Sequence, residues 1–194
     1  MKRNTINFKN IQSSFLSCDK DTETILRKLF IENQPYSNIL KRLLVVQTKD
    51  CLENNSEEVL KKLDEMSLNK LRDEKYIRLE PKIRISEHEE MKSYIIITFD
   101  NFGPTKTNSP YYRDCIVAFD IICHIDNWDI GNYQLRPIKI AGYIDGILNE
   151  AKLSGIGTFN FIGMNQLVLN EDFAGYTLMY RAVHGNDDKI PAEE

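Results

Sequence analysis

The sequence predicts an α+β domain: a mainly antiparallel sheet packed by helices, with a helical N-terminal third. Three observations predict it. Apolar residues recur every three to four positions from Ile25 to Leu71, the period of helices with one buried face. The period drops to two near Tyr76 and is cleanest from Cys115 to Asp126, as strands require. A further helical stretch, opened by Arg136-Pro137, is followed by short alternating runs that read as a closing meander. The organisation expected is an N-terminal arm over 1–20 and one domain over 21–184, helical to residue 75 and sheet and helix from 76. A polar tail over 185–194 is expected to be mobile.

Asp21-Thr22-Glu23-Thr24 sets acidic and hydroxyl residues ahead of Ile25, Leu26, Leu29 and Phe30, a helix start, and Pro35 ends that helix. A second helix fits Ser37 to about Cys51, with Ile39, Leu40, Leu43 and Leu44 in one stripe edged by Gln47. Asn54-Asn55-Ser56 marks a turn and a cap. The third helix then carries Val59, Leu60, Leu63 and Met66 on one face and runs on towards Leu71. Tyr76–Leu79 and Lys82–Ile85 alternate around Pro81 and read as an interrupted edge strand. Glu87–Glu90 is a polar turn.

Tyr94–Phe99 is a strand apolar on both faces, which demands cover on both sides. A loop of about fifteen residues, Asp100 to Asp114, follows; loops of that length are often functional. In the next strand Cys115, Val117, Phe119, Ile121, Cys123 and Ile125 share one face. A one-residue slip would bury Asp120 and His124, so the register is well specified. Pro137 sits in a first helical turn, where its missing N–H costs nothing. Gly142 and Gly146 each cost that helix about 1 kcal/mol against alanine. Close approach of a neighbouring backbone is the expected compensation. Thr158–Ile162, Gln166–Leu169 and Tyr176–Val183 form the meander, with turns at Gly163-Met164-Asn165 and 170–175.

With 42% apolar residues the chain can fill a core and is not disordered. No apolar run approaches the roughly 18 residues of a membrane span. Met1–Phe8 is basic with no apolar core behind it, so no secretory signal is expected. The net charge of −4 divides into +4 over 1–50, −3 over 51–100 and −5 over 101–194. That pattern fits either head-to-tail contact between copies or an ordinary solvated surface. Its overall sign is wrong for a phosphate-tracking module. Cys18, Cys51, Cys115 and Cys123 fit no zinc spacing. Cys115 and Cys123 lie eight apart in one strand, about 26 Å, too far for a disulfide. Reduced thiols are expected.

Convergent chemistry is hard to find. Gly155-Ile156-Gly157 lacks a third glycine and precedes a strand, so it does not cradle phosphate. No Walker-type lysine loop and no GxSxG elbow occur. His124 and Asp126 share a strand face and read either as a proton-handling pair or as the solvated end of an amphipathic strand. Cys123 and His124 are neighbours, which a strand points to opposite faces. No catalytic, cofactor-binding or metal-binding residue is therefore assigned, and the expectation is a non-enzymatic protein.

The run Gln134-Leu135-Arg136-Pro137 through Asn149, with Gly155–Phe159 and Asn170–Tyr180, follows a strand, a long loop and a second strand. That order resembles the tail-terminator and tail-completion proteins of tailed bacteriophages, over roughly the last hundred residues. The resemblance implies a structural virion protein at the neck, without catalytic residues or cofactors. It would form a ring, usually hexameric, that ends the tail tube and joins it to the head connector, with no membrane contact. Partners would be its own copies, tube and connector proteins, and DNA passing non-specifically through the ring. The residues assigned to contacts are Phe102, Tyr111 and Tyr112 in the long loop, because aromatics suit interface cores, and Arg136 at the helix entry. Two other readings stay open. One is a cytosolic regulatory or ligand-binding domain with its ligand between helix 137–149 and the sheet. The other is an enzyme using His124 and Asp126.

Overall fold

The structure, a computed structural model, describes residues 15, 18–80, 91–106 and 112–185. It is an α+β fold with its first helices ahead of the sheet. Helix α1 (Cys18–Arg27) continues as a π-turn, Lys28–Glu32, and stops before Pro35. Helices α2 (Tyr36–Val45), α3 (Glu57–Glu65) and α4 (Leu68–Asp73) follow. Residues 18–20 are thus helical and not arm. The rest of the expected arm apart from Phe15, the tail beyond Gly185, the run Lys82–Ile85 and the turn Glu87–Glu90 lie outside the described residues.

Two helix ends differ from expectation for local reasons. The second helix stops at Val45, not near Cys51, because the chain turns there to offer its last carbonyls to a buried side chain. The third breaks at Met66-Ser67, where Ser67 Oγ accepts the Lys70 N–H at 3.2 Å and caps a new helix.

Strands β1 (Ile77–Arg78), β2 (Ser93–Pro104) and β3 (Tyr112–His124) precede helix α5 (Arg136–Leu148). A small hairpin, β4 (Lys152–Leu153) with β5 (Gly157–Thr158), leads to β6 (Asn160–Val168) and β7 (Phe173–Gly185). The main sheet runs β1-β2-β3-β7-β6, antiparallel except for β1 beside β2.

The long loop is shorter than expected. Strand β2 continues through Asp100 to Pro104, absorbing a bulge between Asp100 and Gly103, and pairs Pro104 with Arg113. The meander also has one strand fewer. Gly163-Met164-Asn165 is not a turn, because β7 offers it a continuous partner: Gly163 faces Met179, Met164 faces Leu178 and Asn165 faces Thr177. Pairing along a long central strand overrides local turn chemistry here. The real turn is at Asn170, whose side-chain oxygen accepts the Asp172 and Phe173 N–H groups at 2.9 and 2.8 Å.

One sheet face builds the core. Cys115, Val117, Phe119, Ile121 and Cys123 lie under Ile140, Ile144 and Leu148 of α5 and under Leu40, Leu43 and Leu44 of α2. Ile125 falls outside the strand, in a 3-10 turn (Ile125–Asn127), and is half exposed. The other face of β2 is covered by a smaller cluster in which Tyr94 and Ile96 meet Ile122 and Phe173, with the Arg78 guanidinium 4.5 Å over the Tyr94 ring.

The helix glycines are not closely packed. Among the described residues no atom outside the helix's own backbone lies within 4 Å of where a Cβ on Gly142 or Gly146 would stand, so close packing does not offset their cost. Gly175 is the opposite case: a Cβ there would stand 1.7 Å from the Ile121 carbonyl oxygen, across the β3–β7 pairing. Substitution to alanine should therefore take opposite signs. Gly142→Ala is expected to stabilise the fold by about 0.5–1 kcal/mol, and Gly175→Ala to destabilise it severely, both read by urea unfolding.

Candidate functional site

Arg136 stands first in α5 and is wholly buried. Its Nε donates to the Asn127 carbonyl at 2.8 Å. Nη1 donates to the carbonyls of Leu43 and Val46 at 2.7 and 2.8 Å, and Nη2 to that of Thr48 at 2.7 Å. These four partners are backbone carbonyls of its own chain and the guanidinium is fully buried, so Arg136 does not face a neighbour; it ties the end of α2 to the start of α5. Burial explains this outcome: a guanidinium removed from water must satisfy its fork of donors internally. Gln47 extends the junction, its Oε1 accepting from Ser93 Oγ at 3.1 Å and Asn127 Nδ2 at 3.0 Å.

Phe102 and Tyr112 are brought to the opposite end of the sheet. The Tyr112 ring lies where a side chain on Gly185 would have to go. Phe102 is half-buried and meets Phe15 edge-on at 4.9 Å and His184 at 5.8 Å. Tyr111 lies outside the described residues. His124 and Asp126 remain a local pair: His124 Nδ1 accepts the Asp126 N–H at 3.2 Å, capping the 3-10 turn, while the Asp126 side chain is mostly exposed.

Sequence reading missed the most concentrated chemistry, which surrounds His184. This residue is the last but one of β7, on the core face, and is fully buried. Its Nδ1 bonds the Asp21 carboxylate, itself 1% exposed. Its Nε2 faces Cys18 Sγ at 3.5 Å. Burial alone would pull the imidazole down, but its bonds to Asp21 and Cys18 and the carboxylate charge outweigh that and raise its pKa to about 10. Cys18 and Asp21 sit three apart on α1 and so share a helix face. That spacing was legible; what hid it was the assignment of residues 1–20 to an arm and the 163 positions between Asp21 and His184. Among the described residues no cluster of His, Cys, Asp and Glu is arranged to hold a metal ion.

The other unusual surface is the free edge of the sheet. Among the described residues, strand β6 has β7 on one side and no strand on the other. Its nine residues, Asn-Phe-Ile-Gly-Met-Asn-Gln-Leu-Val, carry no charge and no proline. Phe161, Ile162, Met164 and Val168 are 51%, 43%, 36% and 65% exposed. Away from the sheet, a groove of about 640 Å³ opens between α2, α3 and Tyr143, floored by Ile39, Leu52, Leu60 and Leu63.

A family model described as YomW matches residues 37–182, most of the chain. The chain belongs to the YomW family. The family is of phage type and points to a phage-associated protein. No curated protein matches the chain. The matched span contains Gln47, Arg136 and the whole of β6; Cys18, Asp21 and His184 lie outside it. Among the described residues no helix is long and apolar enough to cross a membrane.

Two outcomes follow for stability. Arg136→Met leaves the buried carbonyls of Leu43, Val46 and Asn127 without this donor, and a loss of at least about 3 kcal/mol is expected in urea unfolding. For His184 the folded pKa stands above the ordinary 6.5, so its contribution is complete below about pH 6.5 and disappears as pH rises towards 10. Burial also raises Cys115 and Cys123 to about 12 from 9.0, but these lose stability only above pH 9. The melting temperature should fall between pH 7 and 9 in the wild type and stay flatter in His184→Phe.

Proposed function

We propose that the chain is a structural virion protein of a tailed phage. In this reading it closes by heterologous contacts into a ring at the neck, which terminates the tail tube and joins it to the head connector. The observation that carries the reading is the β6 edge. Sheet edges are normally guarded by charge, by proline or by a covering element, because their unpaired N–H and C=O groups recruit other strands. Over nine residues β6 has neither charge nor proline, and its large apolar side chains stand in solvent. Such an edge suits pairing with another chain, where main-chain hydrogen bonds supply affinity and side chains supply fit. Membership of a phage-type family supports the same reading, as does the order of elements from β2 to β7.

The ring uses two different faces of each copy, so β6 of one subunit meets a surface other than β6 on the next. The sedimentation coefficient and negative-stain images of the purified chain should report closed rings. The double variant Ile162→Lys, Met164→Lys should sediment as a monomer with unchanged circular dichroism, since both positions are exposed in the subunit. A wild-type chain that stays monomeric and does not bind tail tubes contradicts the ring.

A further inference from the structure

Cys18, His184 and Asp21 stand in line: a partly exposed thiol 3.5 Å from one imidazole nitrogen, and a buried carboxylate bonded to the other. A structural ion pair would need only His184 and Asp21. The thiol on the far nitrogen makes the arrangement that of a nucleophile, an imidazole that holds its proton and a carboxylate that orients the ring. We propose that Cys18 is a nucleophilic thiol that accepts acyl groups from activated esters or thioesters, with His184 as its proton partner and Asp21 as the residue that orients His184.

The surroundings fit this chemistry. Bonding to Asp21 through Nδ1 fixes the ring so that Nε2 points at the sulfur. Phe15, Phe99 and Phe102 lie with ring centres 6.5, 6.5 and 5.8 Å from the imidazole, which keeps water from the pair and offers an apolar flank to an acyl chain. Cys18 lies in the first described turn of α1. Cys51, Cys115 and Cys123 are all buried, which leaves Cys18 as the partly exposed thiol among the four.

In the first step the sulfur attacks the acyl carbonyl carbon, and the proton it shares with His184 rests on Nε2. As the S–C bond completes, the C–O or C–S bond to the leaving group breaks, and the leaving group takes that proton. Water then adds to the thioester carbonyl and gives a proton to Nε2. The S–C bond breaks, the carboxylic acid departs and the proton returns to sulfur. No oxidant or reductant is needed.

The test uses the full chain and p-nitrophenyl acetate, followed by nitrophenolate release and by peptide mass mapping. The expected result is one acetyl group per chain, on Cys18, added at least tenfold faster than to Cys18 in guanidinium-unfolded chain at the same pH. His184→Gln and Asp21→Asn should each slow it tenfold or more, and the pH profile of acetylation should lose its folded-state form. If either variant fails to fold, the comparison of folded with unfolded wild type decides alone. Acetylation of folded Cys18 no faster than in the unfolded chain, or preferential labelling of another thiol, overturns the proposal. The ring rests on β6 and is unaffected by either result.

Discussion

The fold hinges on a cation buried with no anion beside it among the described residues. The Arg136 guanidinium has left water, and four carbonyl oxygens from two segments, the end of α2 through Thr48 and the turn at Asn127, replace its hydration shell. Hydrogen bonds to a charged group are worth about 1.5–3 kcal/mol each, so the set offsets desolvation only while both segments and the start of α5 stay in place. That requirement fixes the chain. It sets where α2 ends, where the turn after β3 delivers Asn127, and where α5 begins. Gln47, Asn127 and Ser93 carry the same constraint to the first residue of β2. The helical third is thereby locked to the sheet by polar geometry as well as by the apolar contact of α2 with α5.

The locked subunit presents two contrasting sheet ends. At the β6 edge, backbone and apolar side chains are open over nine residues with no charge to discourage a partner. Where β7 finishes, aromatic rings close over His184, and the first turn of α1 is held against the strand through Asp21. A rigid subunit with one undefended edge is suited to repetitive association, because little ordering cost remains to be met when copies join.

Much of this was legible in the sequence, and the failures have identifiable causes. Alternation through Cys115–Cys123 placed the central strand in correct register, since one face is continuously apolar and the other carries Asp120 and His124. Arg136-Pro137 marked the start of α5 correctly, but the role of Arg136 could not be read, because three of its four carbonyl partners lie about ninety residues away and have no sequence signature. Gly163-Met164-Asn165 carried genuine turn chemistry and lost to pairing with β7. Asp100–Pro104 looked like loop because its irregular composition is that of a bulge, in which Asn101 adopts φ 52°. The Cys18–Asp21–His184 line went unseen because its members belong to opposite ends of the chain, and only the packing of α1 against the end of β7 unites them.

The central claim is that this chain is an assembly component at the junction of phage head and tail. Immunogold labelling of intact purified virions with antibody against the chain tests it most directly. The account predicts gold confined to the neck of each particle. Particles without label, or label spread over the capsid or the distal tail tip, would contradict it.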